Sequence, residues 1–148
     1  MYLDSAIIVK LLVREEDSPW FNQAVVGHEL WSSELALAEV RSAILIKERT
    51  GRISAAQRQS AFVRFESLHE DELLRLHPLN SAVVHHAAGL LTICHPEVAL
   101  RSLDAIHLAT AIMHPRGALC ATDGKLRDAA KRMGVTCFPE ELSVIKTN

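Results

Sequence analysis

Four carboxylates stand in stretches that are otherwise apolar. Asp4 divides Met1-Tyr2-Leu3 from Ser5-Ala6-Ile7-Ile8-Val9. Glu39 interrupts Leu35-Ala36-Leu37-Ala38 and Val40. Asp104 lies within Leu103-Asp104-Ala105-Ile106-His107-Leu108-Ala109, and Asp123 ends Ala118-Leu119-Cys120-Ala121-Thr122. Acidic side chains avoid burial unless something compensates them. If folding gathers all four, each like-charge pair at ~4 Å costs roughly 4 kcal/mol at an effective dielectric of about 20. Hard divalent ions such as Mg²⁺ or Mn²⁺ prefer oxygen ligands and relieve that repulsion.

Each acid also has a purely structural explanation. Asp4 and Asp123 could cap helices that begin just after them. Asp104 suits the first turn of a helix, where negative charge meets the positive end of the dipole. Glu39 could be a partly exposed acid paired with Arg41 or Lys47. Together, two acids at strand ends and two in apolar helical stretches favour a common crevice.

The elements that must position them follow from periodicity and punctuation. Residues 2–3 predict a very short strand that runs straight into a helix over 5–13. Ser18-Pro19 starts a second helix, because proline is favoured in a first turn. Residues 29–32 read as a strand. A helix over 34–50, closed by Gly51, is followed by one over 54–68 with Ser54 as cap, and the two make a helical hairpin. Strands over 73–76, 118–121 and 135–138 alternate with helices over 81–94, 102–113 and 125–133, the last closed by Gly134. Pro78, Pro96 and Pro115 end the elements that precede them.

Strands separated by helices predict an α/β fold: a three-layer α/β/α sandwich around a mainly parallel five-stranded sheet. In such sheets the functional crevice lies at the carboxyl ends of the strands. Asp4 and Asp123 each stand at such an end, and Glu39 and Asp104 lie near helix starts that could reach the same edge.

Composition narrows the field. The chain of 148 residues fits one domain, 1–148, at a length where folding buries roughly 70% of the extended surface. Apolar residues make up 49% and charged residues 23%, ordinary globular values, and the net charge is −2. Contact with nucleic acid must therefore use a local patch, for which Lys10, Arg14, Arg41, Arg101 and Lys125 are candidates beside the acids. Three widely separated cysteines without a C-x-x-C suggest neither a disulfide framework nor a zinc ribbon, and fit a reducing cytoplasm. Residues 6–13 are too short to span a membrane, and Asp4 stands where a secretion signal would carry basic charge. His85-His86 and Cys94-His95 lack compact zinc-ligand spacing, and no phosphate-cradling glycine loop occurs.

With the four acids in place, the chain resembles the PIN domains, specifically the small single-domain ribonuclease toxins called VapC. The matching segments are Tyr2-Leu3-Asp4-Ser5-Ala6, Leu37-Ala38-Glu39-Val40-Arg41-Ser42-Ala43, Leu103-Asp104-Ala105-Ile106-His107-Leu108-Ala109-Thr110-Ala111, and Ala121-Thr122-Asp123 before a helix. Their order and spacing cover nearly the whole chain. The resemblance implies Mg²⁺- or Mn²⁺-dependent hydrolysis of RNA, leaving a 5′-phosphate and a 3′-hydroxyl. It implies metal ligation by Asp4 and Asp104, with Glu39 and Asp123 completing the acidic site. Ser5 and Thr122 fall where hydroxyls hold carboxylates or metal-bound water, although both could be caps. His107, three residues after Asp104, reads as a core residue or as support for the acids rather than a general base. The resemblance also implies a homodimer and an antitoxin segment docked near the N-terminal helices, where Trp20, Phe21 and Trp31 are otherwise core candidates.

Two rival readings remain. A PIN-like module that binds RNA or protein without cleaving would keep the pocket, but the presence of all four acids argues against it. A receiver-type signalling domain needs a phosphoacceptor aspartate after its third strand, and here that strand ends Leu76-His77-Pro78.

Overall fold

The computed structural model describes residues 1–145. Five parallel strands form one sheet in the order β3-β2-β1-β4-β5: β1 (Tyr2–Leu3), β2 (Leu30–Ser33), β3 (Leu74–His77), β4 (Leu119–Cys120) and β5 (Cys137–Phe138). Seven α-helices connect them: α1 (Ser5–Leu12), α2 (Ser18–Ala24), α3 (Ala36–Arg49), α4 (Ala55–Glu70), α5 (Ser81–Cys94), α6 (Ser102–Met113) and α7 (Gly124–Arg132). A short 3-10 turn at Leu142–Val144, which no periodicity announced, follows β5. The expected α/β/α architecture is present. The strands β2 and β3 begin one residue later than the alternation suggested, and β4 and β5 are shorter.

Local chemistry explains the boundaries. Asp4 accepts a hydrogen bond from the Ile7 amide and caps α1, Asn80 caps α5 through Val83, and Ser54 forms a reciprocal capping box with Gln57 at α4. Gly51 and Gly134 adopt φ of 71° and 72° just beyond α3 and α7, a conformation that strains residues with a Cβ.

The sheet has an apolar face on each side, because successive side chains alternate. Leu3, Leu74 and Cys120 join α1 to α4 in one core, with Phe21, Ile44 and Phe65 fully buried there. Tyr2, Trp31, Leu119 and Cys137 face the opposite layer of α5, α6 and α7. Phe21 and Trp31 are thus core residues, and half-buried Trp20 stacks on Phe138 with ring centroids 5.8 Å apart.

From β1 the chain moves outward to β2 and β3 with its helices in the first layer. It then crosses through α5 and α6 in the second layer to β4, on the other side of β1. The direction of winding therefore changes between β1 and β4. The carboxyl ends of those two strands are where an open parallel sheet forms its crevice.

Candidate active site

Asp4 and Asp123 leave β1 and β4 beside this switch point. Asp4 accepts the Ile7 amide through Oδ1 at 2.9 Å, and Asp123 accepts the Leu126 amide through Oδ1 at 3.0 Å. The capping explanation of both acids is correct and does not compete with a second role, since each carboxylate has another oxygen. Glu39 and Asp104 lie in the first turns of α3 and α6. All four acids therefore sit at helix N-termini, whose dipoles partly offset their mutual repulsion.

The four line a single cavity of about 340 Å³ together with Ser5, Ala6, Arg101, His107 and Thr122. All six residues singled out in the sequence meet there. Asp4 is only 5% exposed. Burial above all, helped by the charges of Asp104 and Glu39, drives its pKa up to about 6 against the pull of the Ile7 hydrogen bond and of His107.

Glu39 is held differently. Ser5 Oγ donates to Glu39 Oε2 at 2.7 Å, and His107 Nε2 lies 2.7 Å from the same oxygen. Burial alone would raise the Glu39 pKa, but these hydrogen bonds outweigh it and keep the acid below its ordinary value. His107 Nδ1 lies 2.9 Å from the Tyr2 hydroxyl, whose own pKa burial drives far up, so Tyr2 stays protonated and can donate. That arrangement leaves the proton of a neutral imidazole on Nε2, facing Glu39. His107 is buried and serves Glu39; it does not pair with Asp104, its neighbour one helical turn away.

Arg101 joins the remaining acids. Its Nε donates to Asp104 Oδ2 at 2.7 Å and its Nη2 to Asp123 Oδ2 at 2.9 Å. Among the other candidate cations, Arg41 pairs with Glu66 and Lys10 with Glu15 and Asp17, while Arg14 and Lys125 are exposed. Glu39 pairs with neither Arg41 nor Lys47, which binds Glu15 instead. Asp128, which α7 carries beyond Asp123, is exposed and does not line the cavity.

Two supporting residues carried little signal in the sequence. Tyr2 becomes a ligand of His107 only because it faces the second helical layer. Arg127 is 4% exposed and donates to the carbonyls of Ala121, Pro139 and Glu140, tying the segment before Asp123 to the chain beyond β5. Its place beside Leu126 and Ala130 on the buried face of α7 was the available hint. The three cysteines are free and buried.

The donor chemistry suits a hard divalent cation: carboxylate and hydroxyl oxygens throughout, with the most buried acid short of a counter-charge. Among the described residues, no three His, Cys, Asp or Glu side chains already form a group able to hold an ion. Arg101 engages Asp104 and Asp123, and Ser5 and His107 engage Glu39, so closure on an ion requires local side-chain rearrangement.

A PIN-domain family model matches residues 1–132. The chain belongs to the PIN-domain family. Ribonuclease VapC46 of Mycobacterium tuberculosis is 41% identical over 138 residues, covering 91% of this PIN-domain chain and 93% of that protein. Ribonuclease VapC45 from the same species is 30% identical over 152 residues, covering 96% of each. Among solved structures, FitAcB from Neisseria gonorrhoeae superposes with a TM-score of 0.67 at 18% identity, over 94% of this chain and 96% of that one. Mycobacterium tuberculosis VapC20, described as a sarcin-ricin loop cleaving toxin, gives 0.68 at 15% identity over 86% and 93%. These superpositions establish the PIN fold.

Proposed function

We propose that this PIN-domain chain is a divalent-cation-dependent endoribonuclease and the toxin of a type II toxin–antitoxin pair. The observation that carries the reading is the convergence of Asp4, Glu39, Asp104 and Asp123 on one oxygen-rich cavity at the sheet's switch point. The two VapC relatives, both named as ribonucleases, support the reaction class.

Asp4 and Asp104 would hold Mg²⁺ or Mn²⁺, with Glu39 and Asp123 completing the anionic site. A cation there would supply a Lewis acid for a phosphoryl oxygen and would lower the pKa of water. The chain's own residues do the rest. The Tyr2–His107 pair and Ser5 hold Glu39 Oε2, keeping the carboxylate ionised so that it can accept a proton from the attacking water. Helix capping fixes Asp4 and Asp123 through Oδ1 and leaves the second oxygen of each to another partner, which for Asp123 is Arg101. Thr122, on the cavity wall, offers a hydroxyl that would donate to a carboxylate or water. RNA binding draws on cations at the cavity mouth rather than on overall charge.

The partner proposed for this toxin is an antitoxin segment lying against the N-terminal helices and the α3–α4 hairpin. A groove of about 310 Å³ is available there, lined by Leu12, Val13, Arg14, Ile53 and Arg64 among others. An apolar helix or strand edged with acidic residues would suit it. A Klebsiella pneumoniae structure described as a toxin–antitoxin complex shares the fold, with a TM-score of 0.56 at 16% identity over 82% of this chain and 85% of that one. We also propose a homodimer and a cytoplasmic location. Among the described residues no helix is long and apolar enough to cross a membrane.

The test incubates purified protein with structured RNA and Mg²⁺ or Mn²⁺, beside Asp4→Ala and Asp104→Ala. We expect fragments with 5′-phosphates that disappear with either substitution and with EDTA. Cleavage that persists in both variants, or in EDTA, removes the proposed chemistry. RNA binding without cleavage under any divalent ion would point to a non-catalytic module. Growth arrest on expression, relieved by the same substitutions, tests the toxin role.

A further inference from the structure

Arg101 is the one lysine or arginine bonded to any of the four acids among the described residues. It stands at the start of α6 and reaches across to α7, using two edges of its guanidinium on Asp104 Oδ2 and Asp123 Oδ2. Its carbonyl accepts the Ala105 amide at 2.8 Å, but its side chain makes no capping bond to α6 and is 62% exposed. Exposed ion pairs are weak and sensitive to salt, so these bonds are readily exchanged.

The same two oxygens are natural ligands for a divalent cation. Mg²⁺ binds oxygen at about 2.0–2.1 Å. A guanidinium already 2.7–2.9 Å from those atoms competes with an ion for the same lone pairs and the same space. Displaced, Arg101 stays tethered at the rim of the cavity, freed from its carboxylates and still positively charged. A phosphodiester then offers it paired oxygens that match its planar fork.

We propose that Arg101 alternates between two anionic partners, neutralising Asp104 and Asp123 when no divalent cation is bound and gripping the RNA phosphodiester when one is. This rests on the reading of the cavity as a metal-dependent ribonuclease site. It makes Arg101 a competitor of the metal in the free protein and a ligand of the substrate in the complex. Removing it should therefore move two affinities in opposite directions, which neither a simple structural ion pair nor a simple RNA-binding cation would do.

The experiment compares the full chain with Arg101→Gln and Arg101→Lys. Mn²⁺ binding is measured calorimetrically without RNA. RNA binding is measured by fluorescence anisotropy on an unmodified RNA oligonucleotide in saturating Mn²⁺, with Glu39→Gln added to every chain to slow cleavage. Arg101→Gln should bind Mn²⁺ about 3- to 10-fold more tightly, since two exposed pairs no longer compete. It should bind RNA about 10-fold more weakly, and the slope of log affinity against log salt should fall by about one charge. Arg101→Lys should hold an intermediate position on both scales, keeping the charge but losing the fork.

Mn²⁺ binding unchanged or weakened in Arg101→Gln overturns the competition, and unchanged RNA binding overturns the phosphate grip. If the wild-type chain binds no Mn²⁺, or the double variant Asp4→Asn/Asp104→Asn binds it as well as wild type, the metal reading itself fails and takes the competition with it. That outcome is distinguishable, because it is read before Arg101 is touched.

Discussion

Two charged clusters share a wall in this molecule. The acid cavity adjoins a second cavity of about 390 Å³, lined by Lys10, Glu15 and Lys47, and both include Ser5, Ala6, Glu39 and Thr122. In the second, Lys10 contacts Glu15 and Asp17 at 2.8 Å each, and Lys47 completes the set on Glu15. Two cations meet two anions. Burial works against the charged forms, yet the hydrogen bonds prevail: Lys10 is held above its ordinary pKa and Glu15 below. In the first, four anions meet one exposed arginine, and Asp4 is left with its pKa at about 6. A balanced cluster is a finished structural element. An unbalanced one keeps an unsatisfied demand for positive charge, and that demand singles out the proposed site of chemistry.

The contrast is broken most severely at Asp4. Asp4→Asn keeps a good helix cap but removes the uncompensated charge. Cleavage should fall by about 10²-fold or more, while the metal-free protein becomes more stable at neutral pH. The sign follows from linkage. A carboxyl whose folded pKa of about 6 exceeds the ordinary 3.8 contributes stability below about pH 4, and loses it as pH rises through 6. The wild-type chain should thus lose up to about 3 kcal/mol over that interval. Asp4→Asn should not, and thermal melts at pH 4 and pH 7.5 in EDTA would measure the difference. A variant less stable than wild type at pH 7.5 would show Asp4 to be as well compensated as Glu15.

A smaller effect is expected at His107, which lies behind the acids rather than among them. His107→Ala leaves Tyr2 and Glu39 without a shared partner and should reduce cleavage about 10- to 100-fold, as loss of supporting hydrogen bonds does. The acidic limb of the pH–rate profile should move to higher pH, since Glu39 loses a hydrogen bond that holds its pKa down. An unchanged limb would exclude the proposed role of His107 in keeping Glu39 ionised.

The smallest catalytic effect belongs to the balanced cluster. Lys10→Met leaves Glu15 with Lys47 alone and Asp17 without its cation, and should destabilise the fold by about 1–2 kcal/mol. Cleavage per folded molecule should stay within about threefold of wild type. Denaturant melts and single-turnover rates separate the two. A large catalytic loss at constant stability would place Lys10 among the RNA contacts and dissolve the distinction between the clusters.

Much of this molecule could be read along the chain because the deciding interactions are local. A capping carboxylate and its amide are three residues apart at Asp4 and Asp123, and the terminators Gly51 and Gly134 act within a turn. Alternation of apolar residues needs only neighbours, which is why five strands, seven helices and the layered fold were foreseeable. The four acids stood out for the same reason, as polar residues in apolar surroundings. The order of strands, which makes β1 and β4 the switch point, was settled only by packing of whole layers. So were the partners of distant side chains: Arg101 with Asp123 across 22 positions, and His107 with Glu39 across 68. Arg127 likewise became a buried strut because α7 docks where three carbonyls converge. Backbone hydrogen bonds and periodicity act over a few residues and are written in sequence; the pairing of charges across the cavity depends on which surfaces the layers bring together.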